Sequence, residues 1–531
     1  MTDVAAELPV LPDAMVQRLI DVVGVDSVII DRPTINEFKD KYWIPGDETY
    51  AASAVVQPVS VEQIQEIVRI ANEFGIPVWP HGQGKNLGYG GPSPRVRGSI
   101  QLGFQKMNRV LEINSELAYA VVEPGVRWFD LYDAIEAGGH PLMMGVPDLG
   151  WGSVIGNSMD SGITYTPYGS DYMMPCGMEV VLPDGSLLRT GHGAIPGDKS
   201  WHLYRRSMGP SLDQLFVQSG FGIVTRMGVW LKRKAEAYAP LMLSIGEDED
   251  LGQAIDVLRE LRLAGHLEGV PVVYPTLRAA VMLVDDIVQP AKRQLTGAEV
   301  RAIGERTGVG AWATRAAVWG DRDIVELKLA KIRARWEAIP SGRMVSNRIY
   351  APEEYGEIEL AAEKIQAGIP TLKAIEMTPD HVAHIGFSPV VALTGAEVTH
   401  LINELRTRIL GAGLNFSGGL MVTGERSGVM VCGMQFDRTD PASVRNAYAL
   451  AKRLVKDLGE QGYGEYRAHL DFMDLAADQY SFNDHAYRRF AERIKDAVDP
   501  NGILSPGRHG IWPRAYREQD PASQERGVPD G

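Results

Sequence analysis

The run Pro80-His81-Gly82-Gln83-Gly84-Lys85-Asn86-Leu87-Gly88-Tyr89-Gly90-Gly91 packs five glycines into ten residues. Glycine admits positive φ and lets a ligand approach with no Cβ in the way. Successive exposed N–H groups in such a loop form a concavity suited to an anion, a phosphate above all. The spacing Gly82-x-Gly84-x-x-x-Gly88 is one residue too long for the dinucleotide fingerprint, and no helix-forming run opens directly after it. That disfavours a nicotinamide-dependent Rossmann enzyme. On pattern alone, a phosphate cradle and a glycine-rich surface turn both remain open. A second dense stretch, Pro147–Asn157 continuing to Thr164–Gly169, mixes glycine with aromatic residues. This composition argues against a regular core helix and for a segment that lines a ligand. Further motifs, Glu465-Tyr466-Arg467-Ala468-His469 and Ile503–Arg508, stand near the end of the chain.

Hydrophobic periodicity outlines the elements that must position these stretches. A helix is expected over Asp13–Val23 and a short strand over Ala52–Pro58. Ser60-Val61-Glu62-Gln63 has the form of a capping box. Ile64, Ile67, Val68, Ala71 and Phe74 then recur at helical spacing until Gly75 supplies the stop. Ile76–Trp79 reads as a strand that delivers the chain into the glycine loop. Ser99–Phe104, Val110–Asn114 and Ala118–Val122 alternate like strands, Phe129–Glu136 like a short helix. Met178–Leu182 and Leu187–Thr190 flank an Asp184-Gly185 turn, and Gly220–Thr225 leads into a strand over Met227–Lys232. Near Lys234–Glu236 the texture changes. From there to about residue 462, amphipathic helices alternate with β-rich runs and glycine loops are few. Dense motifs at both ends and a plainer middle suggest an inserted unit.

A chain of 531 residues, 45% hydrophobic and 23% charged, has material for two or more domains. The net charge of −15 argues against a nucleic-acid partner. No apolar run is long enough to span a bilayer. Met1–Val10 has neither the basic nor the apolar region of a secretory signal, so the cytoplasm is the expected location. Two cysteines, Cys176 and Cys432, exclude a disulfide scaffold and a cysteine-rich metal site, and no metal is expected.

Taken together, Gly84–Gly91, Pro147–Asn157, Tyr165-Thr166-Pro167-Tyr168-Gly169, Gly222-Ile223-Val224-Thr225, Glu465-Tyr466-Arg467 and Ser505-Pro506-Gly507 resemble one family in the right order and over nearly the full length. They are similar to the 4-phenol-oxidising flavoproteins: vanillyl-alcohol oxidase, eugenol oxidase and the flavoprotein subunit of 4-cresol dehydrogenase. The resemblance is strongest to bacterial eugenol-oxidase-like members. It implies an α+β fold with a bipartite FAD-binding domain, residues 1–236 and 463–531, and an inserted α+β cap, residues 237–462. It also implies a homodimer or higher homo-oligomer. In such a fold Gly82, Gln83, Gly84, Lys85 and Asn86 would cradle the FAD pyrophosphate. Pro147, Gly152, Ser153, Gly156, Asn157, Gly222, Ile223 and Val224 would line the rest of the cofactor.

The same resemblance assigns chemistry. Tyr89, Tyr466 and Arg467 match the family's site for a phenolate, and Asp148 its catalytic acid. His384 matches the histidine that carries covalent FAD in the oxidase branch, with His81 as a rival. Arg508 matches a basic residue near the flavin pyrimidine ring. The implied reaction is hydride transfer from the para-side-chain carbon of a phenolic substrate to the flavin, through a quinone methide. Oxygen is the expected acceptor, giving hydrogen peroxide; a cytochrome or azurin-like acceptor is the alternative. Gly386 and Gly419 are expected to leave room for a long para chain. Tyr165 and Tyr168 are expected beside the cofactor or pocket, and His469 behind Tyr466-Arg467.

Overall fold

The computed structural model describes residues 8–166, 174–283, 293–345, 348–376 and 378–518. Tyr168 therefore lies outside the described residues. The structure is α+β and holds three principal sheets. The first runs in the order Val28–Ile29, Ala54–Val56, Ile100–Gly103, Val78–His81. Its last three strands are parallel, so the chain must cross over between Ala54–Val56 and Val78–His81. Helix Val61–Phe74 makes that crossover and buries Ile64, Ile67, Val68, Ile70 and Ala71. Ser60 caps its start by accepting from the Gln63 amide at 3.3 Å, and Gly75 ends it in the left-handed region at φ +66°. The Gln63 side chain reaches one residue further back than a capping box requires, accepting from Val59 N at 2.7 Å.

The C-terminal motif returns to this sheet. Val78 N donates to Ile503 O and Ser505 N to Val78 O, at 2.8 and 3.0 Å. Lys495, 1% exposed, anchors the return by donating to Asp499 Oδ2 at 2.6 Å and to the carbonyls of Gly220 and Leu504 at 2.7 and 2.5 Å. The second sheet is antiparallel, in the order Val110–Asn114, Tyr119–Val122, Ile223–Trp230, Pro175–Val181, Leu187–Arg189. The strand expected over Met227–Lys232 thus begins earlier, within the Gly222-Ile223-Val224 motif itself.

The third sheet has eight strands, all between Ala237 and Asp437. Strands Ala237–Ile245 and Trp312–Gly320 pair along their whole length, followed by Val272–Pro275, Gly419–Met421, Ser427–Asp437 and Val382–Phe387. Helices Leu251–Leu263, Arg322–Trp336, Gly395–Gly411 and Pro441–Gly459 supply Leu258, Ile332, Leu405 and Leu454 to the core on one face. Alternation along Trp312–Gly320 sends Trp312, Ala316 and Val318 into that core. Ala313 joins a different core, shared with the second sheet, and Arg315 falls on its side of the strand.

One expectation needs correction. The stretch Pro147–Asn157 is irregular only as far as Ser153, whose Oγ accepts from Gly156 N at 2.9 Å and caps a helix over Val154–Met159. Of the glycines that argued against a helix, Gly150 and Gly152 precede this cap while Gly156 lies inside the helix, and apolar Val154 and Ile155 follow the cap into the core. Among the described residues no helix is long and apolar enough to cross a membrane.

Candidate active site

The glycine loop, the Ser153 turn, the start of Ile223–Trp230 and the C-terminal return surround one cleft, with about 1050 Å³ of empty space including its open mouth. Gly82, Gln83, Gly84, Lys85, Asn86, Gly152, Ser153, Gly156, Asn157, Gly222, Ile223, Val224 and Arg508 all line it, as do Arg467 and His81. Backbone shapes most of this wall. A Cβ on Gly82 would stand 2.5 Å from Ser153 Cβ, so the loop and the helix cap meet at a distance only glycine permits. Side chains in the wall are largely committed elsewhere. Ser153 Oγ donates to Pro124 O at 2.6 Å and Gln83 Nε2 to Gly125 O at 2.5 Å. Lys85 Nζ stands 5.0 Å above the Trp151 ring, and burial holds its pKa below the ordinary lysine range. At His81 neither ring nitrogen has a hydrogen-bond partner, and burial lowers its pKa to about 4.

A glycine-lined cleft with a lysine and two arginines on its wall suits an elongated, phosphate-bearing cofactor. Among the described residues no group of three or more His, Cys, Asp or Glu is placed to hold a metal.

At the Arg467 end of the cleft, motifs far apart in sequence are knotted around Ser388. Tyr89 Oη lies 3.1 Å from Ser388 Oγ. The Ser388 amide donates to both Glu465 oxygens, at 3.1 and 3.0 Å, and its carbonyl accepts from Tyr466 N at 3.2 Å. The Arg467 guanidinium stacks 4.0 Å above the Tyr89 ring and 5.2 Å from that of Tyr466. Burial raises the Tyr466 pKa well above the ordinary value, against the pull of Arg467, so its hydroxyl remains a donor at neutral pH. Burial opposes the Arg467 charge, but Tyr466, Tyr89 and Asp160 outweigh it and the guanidinium stays protonated. Its Nε has no protein partner. Two hydroxyls and a cation that needs a counter-group together make a site for an oxyanion.

Asp148 and Pro147 lie outside the cleft lining. The chain here meets the segment between helices Ala361–Gln366 and Lys373–Glu376, where Gly150 N donates to Thr371 O at 3.0 Å. Asp148 Oδ1 accepts from Arg315 Nη2 at 3.2 Å and Oδ2 from Tyr165 Oη at 2.8 Å. Arg315, only 1% exposed, stacks 4.2 Å over the Tyr165 ring, and its Nε and Nη1 have no partner. Sequence reasoning missed Arg315, although a lone charge inside the apolar strand Trp312-Ala313-Thr314-Arg315-Ala316-Ala317-Val318 was the available signal. It also missed Asp160, which lines the cleft and binds Arg508.

His384 lies on strand Val382–Phe387, opposite Gln435, and is not part of the cleft wall. It packs behind the glycine loop: a Cβ on Gly88, whose φ is +78°, would stand 3.0 Å from His384 Nε2. Tyr42 meets the other side of its ring edge-on, with centroids 5.3 Å apart. Burial, reinforced by Arg278, lowers the His384 pKa to about 4. His469 stands further back, fully buried against Asp40 Oδ2 at 2.9 Å and Tyr448 Oη at 3.3 Å. Gly386 and Gly419, expected to leave room for a substituted ring or a longer para chain, both have close neighbours. A Cβ at Gly419 would lie 2.6 Å from Val273 O, and one at Gly386 3.1 Å from Tyr89 Oη. Both glycines answer close approach of neighbouring groups.

Comparison with known proteins identifies the family and the fold. An FAD binding domain family matches residues 52–191. The 4-cresol dehydrogenase [hydroxylating] flavoprotein subunit of Pseudomonas putida is 32% identical over 515 residues, covering 93% of this chain and 95% of that protein. The solved 4-ethylphenol oxidase from Gulosibacter chungangensis, in complex with isoeugenol, is 36% identical with a TM-score of 0.89, over 96% of this chain and 100% of that one. Substrate-bound p-cresol methylhydroxylase is 31% identical with a TM-score of 0.86, over 94% and 96% of the two chains.

Proposed function

Because the chain belongs to the vanillyl-alcohol oxidase family of 4-phenol-oxidising, FAD-dependent oxidoreductases, we propose that it oxidises para-substituted phenols at the side-chain carbon and returns the electrons to oxygen as hydrogen peroxide. 4-Alkylphenols, vanillyl-type alcohols and eugenol-like phenols are the substrate class. The observation that carries this reading is the meeting of Tyr89, Tyr466 and Arg467 at the end of a cleft fitted for FAD.

When bound, FAD supplies the hydride acceptor and the outlet for electrons. The glycine loop, Ser153–Asn157 and Gly222–Val224 would hold it. The chain's own residues prepare the substrate. A free phenol has a pKa of about 10 and is neutral at pH 7. The Arg467 cation and the hydroxyls of Tyr89 and Tyr466 favour its anion, which pushes electron density toward the para carbon. Loss of hydride leaves a quinone methide, electrophilic at the former benzylic carbon. Asp148 accepts a proton as water adds to that carbon, giving the alcohol and restoring the phenolate. Arg315 and Tyr165 each engage one carboxylate oxygen, which fixes the plane of the group and leaves lone pairs free for the water. Where water is excluded, loss of a proton from the next carbon gives the alkene instead.

His384 is proposed as the FAD tether: an imidazole kept neutral by burial has the lone pair that attachment needs. The division at residues 236/237 and 462/463 and assembly as a homodimer belong to the same reading. One experiment tests it. Native protein should bleach anaerobically with 4-ethylphenol or vanillyl alcohol, yield peroxide in air and keep its yellow colour in an acid precipitate. Bleaching without peroxide would favour a dehydrogenase that passes electrons to a cytochrome, the acceptor to weigh given the 4-cresol dehydrogenase relative. No bleaching by any phenol would overturn the substrate class.

A further inference from the structure

The FAD cleft contains a feature at odds with the charge of its ligand. An anionic cofactor is expected to meet cations, yet a carboxylate, Asp160, lines the wall. Its side chain is 16% exposed and bonded on several sides. Arg508 Nη2 donates to Oδ1, and Asn86 Nδ2, from the glycine loop, donates to Oδ2 at 2.8 Å. His509 Nε2 lies 3.8 Å from Oδ1. The Asp160 carbonyl also accepts from Gln218 Nε2 at 3.4 Å, and the same amide reaches Tyr466 O at 2.9 Å. Burial works against the carboxylate charge, but Arg508, His509 and Arg467 outweigh it, and the group stays ionised far below neutral pH.

We propose that Asp160 is a positioning residue that joins the glycine loop, Arg508 and the phenol-side Arg467 into one charge unit, and thereby limits the positive potential felt by both the bound flavin and the bound phenolate. The inference rests on the reading of this end of the cleft as the redox end. Arg467 and Arg508 bring two positive charges to it, and Asp160 cancels one. With the carboxylate in place, Arg467 holds a phenolate without holding it too tightly to release. The same carboxylate keeps the reduced, more anionic flavin from being overstabilised. A lone structural strut would need only the hydrogen bonds to Asn86 and Arg508; a charge limiter needs the negative charge itself.

These roles predict opposite signs. In FAD-loaded protein, Asp160→Asn keeps the size of the side chain and removes its charge. Its flavin midpoint potential should rise by about 30 mV, tenfold in the two-electron equilibrium. Its dissociation constant for 4-hydroxybenzaldehyde, followed through the flavin spectrum, should fall about tenfold. Asp160→Glu should return the potential to within about 15 mV and the dissociation constant to within about threefold of wild type. A lowered or unchanged potential in Asp160→Asn, or weaker phenol binding in both variants alike, overturns the proposal. If Asp160→Asn does not load flavin, Arg508→Gln decides the matter. It removes the arginine bound to Asp160 and leaves the carboxylate with less positive charge beside it, so it must lower the potential and weaken phenol binding; a shift the other way overturns the proposal. Wild-type protein that fails to bind 4-hydroxybenzaldehyde would refute the phenol reading, and the potential would then decide the role of Asp160.

Discussion

Around the FAD cleft the decisive atoms belong to backbone. Gly82 lies so close to Ser153 that a Cβ has no space, and Gln83 and Ser153 turn their side chains away. Around Asp148, and likewise around Tyr466, the decisive atoms are side-chain charges and hydroxyls brought together from widely separated segments. The first region recognises a ligand by shape and N–H donors, and tolerates side-chain change where no new atom enters the gap. The second works through charge in a buried setting, where each group is costly to leave unpaired. Loss of a side chain should therefore damage chemistry at the second region, whereas gain of one should damage cofactor loading at the first.

The largest effect is expected at Asp148. Asp148→Ala removes the proton acceptor and leaves Arg315 buried without its carboxylate. Turnover of 4-ethylphenol should fall about 10²–10⁴-fold, with FAD content unchanged because Asp148 lies outside the cleft wall. Stopped-flow reduction under anaerobic conditions provides the check. A near-normal reduction and hydration rate would remove Asp148 from the chemistry, whereas lost FAD would show that the two regions are less separate than the geometry indicates.

A smaller and converse effect is expected from Gly82→Ala. The new Cβ would meet Ser153 Cβ at 2.5 Å, and the loop or the helix cap must move. Overpacking of this kind costs about 1–3 kcal/mol, so the fraction of protein loaded with FAD should drop about tenfold under limiting FAD. Turnover per bound flavin should change by less than about twofold. If it collapses while loading is normal, the glycine loop does more than hold the cofactor.

The same contrast governs what was legible beforehand. The glycine loop and the Ser60–Gly75 helix could be read because their signals are local: capping residues, periodicity and glycine density all lie within one window. Tyr89, Tyr466 and Arg467 could be named only through family resemblance, since nothing local says that residues so far apart meet at Ser388. Arg315 left a faint local trace, a charge in an apolar strand, but its partner is 167 positions away. Asp160 left none, because an Asp closing a short helix has an ordinary local role and its tie to Arg508 spans 348 positions. The helix over Val154–Met159 was hidden for the opposite reason: nearby glycines masked a valid Ser153 cap.

His81 is where the contrast can be sharpened most finely, for it is a titratable side chain set into the backbone-built wall. Both ring nitrogens lack partners and the pKa is lowered to about 4 by burial. An unfolded histidine titrates near 6.5. Between these values the unfolded chain binds a proton that the folded site refuses, so folding stability is fully present above about pH 6.5 and is lost as pH falls toward 4. The difference corresponds to about 3 kcal/mol for this one group. His81→Leu should leave stability near pH 7.5 within about 1 kcal/mol of wild type, because neutral imidazole and leucine are both uncharged in the wall. At pH 4.5 the variant should be the more stable, and the gap in Tm between the two proteins should open steadily across that window. A constant gap from pH 7.5 to 4.5 would mean that His81 takes up its proton in the folded protein, through a partner that bound FAD supplies. The wall would then contain a charged contact to the cofactor after all.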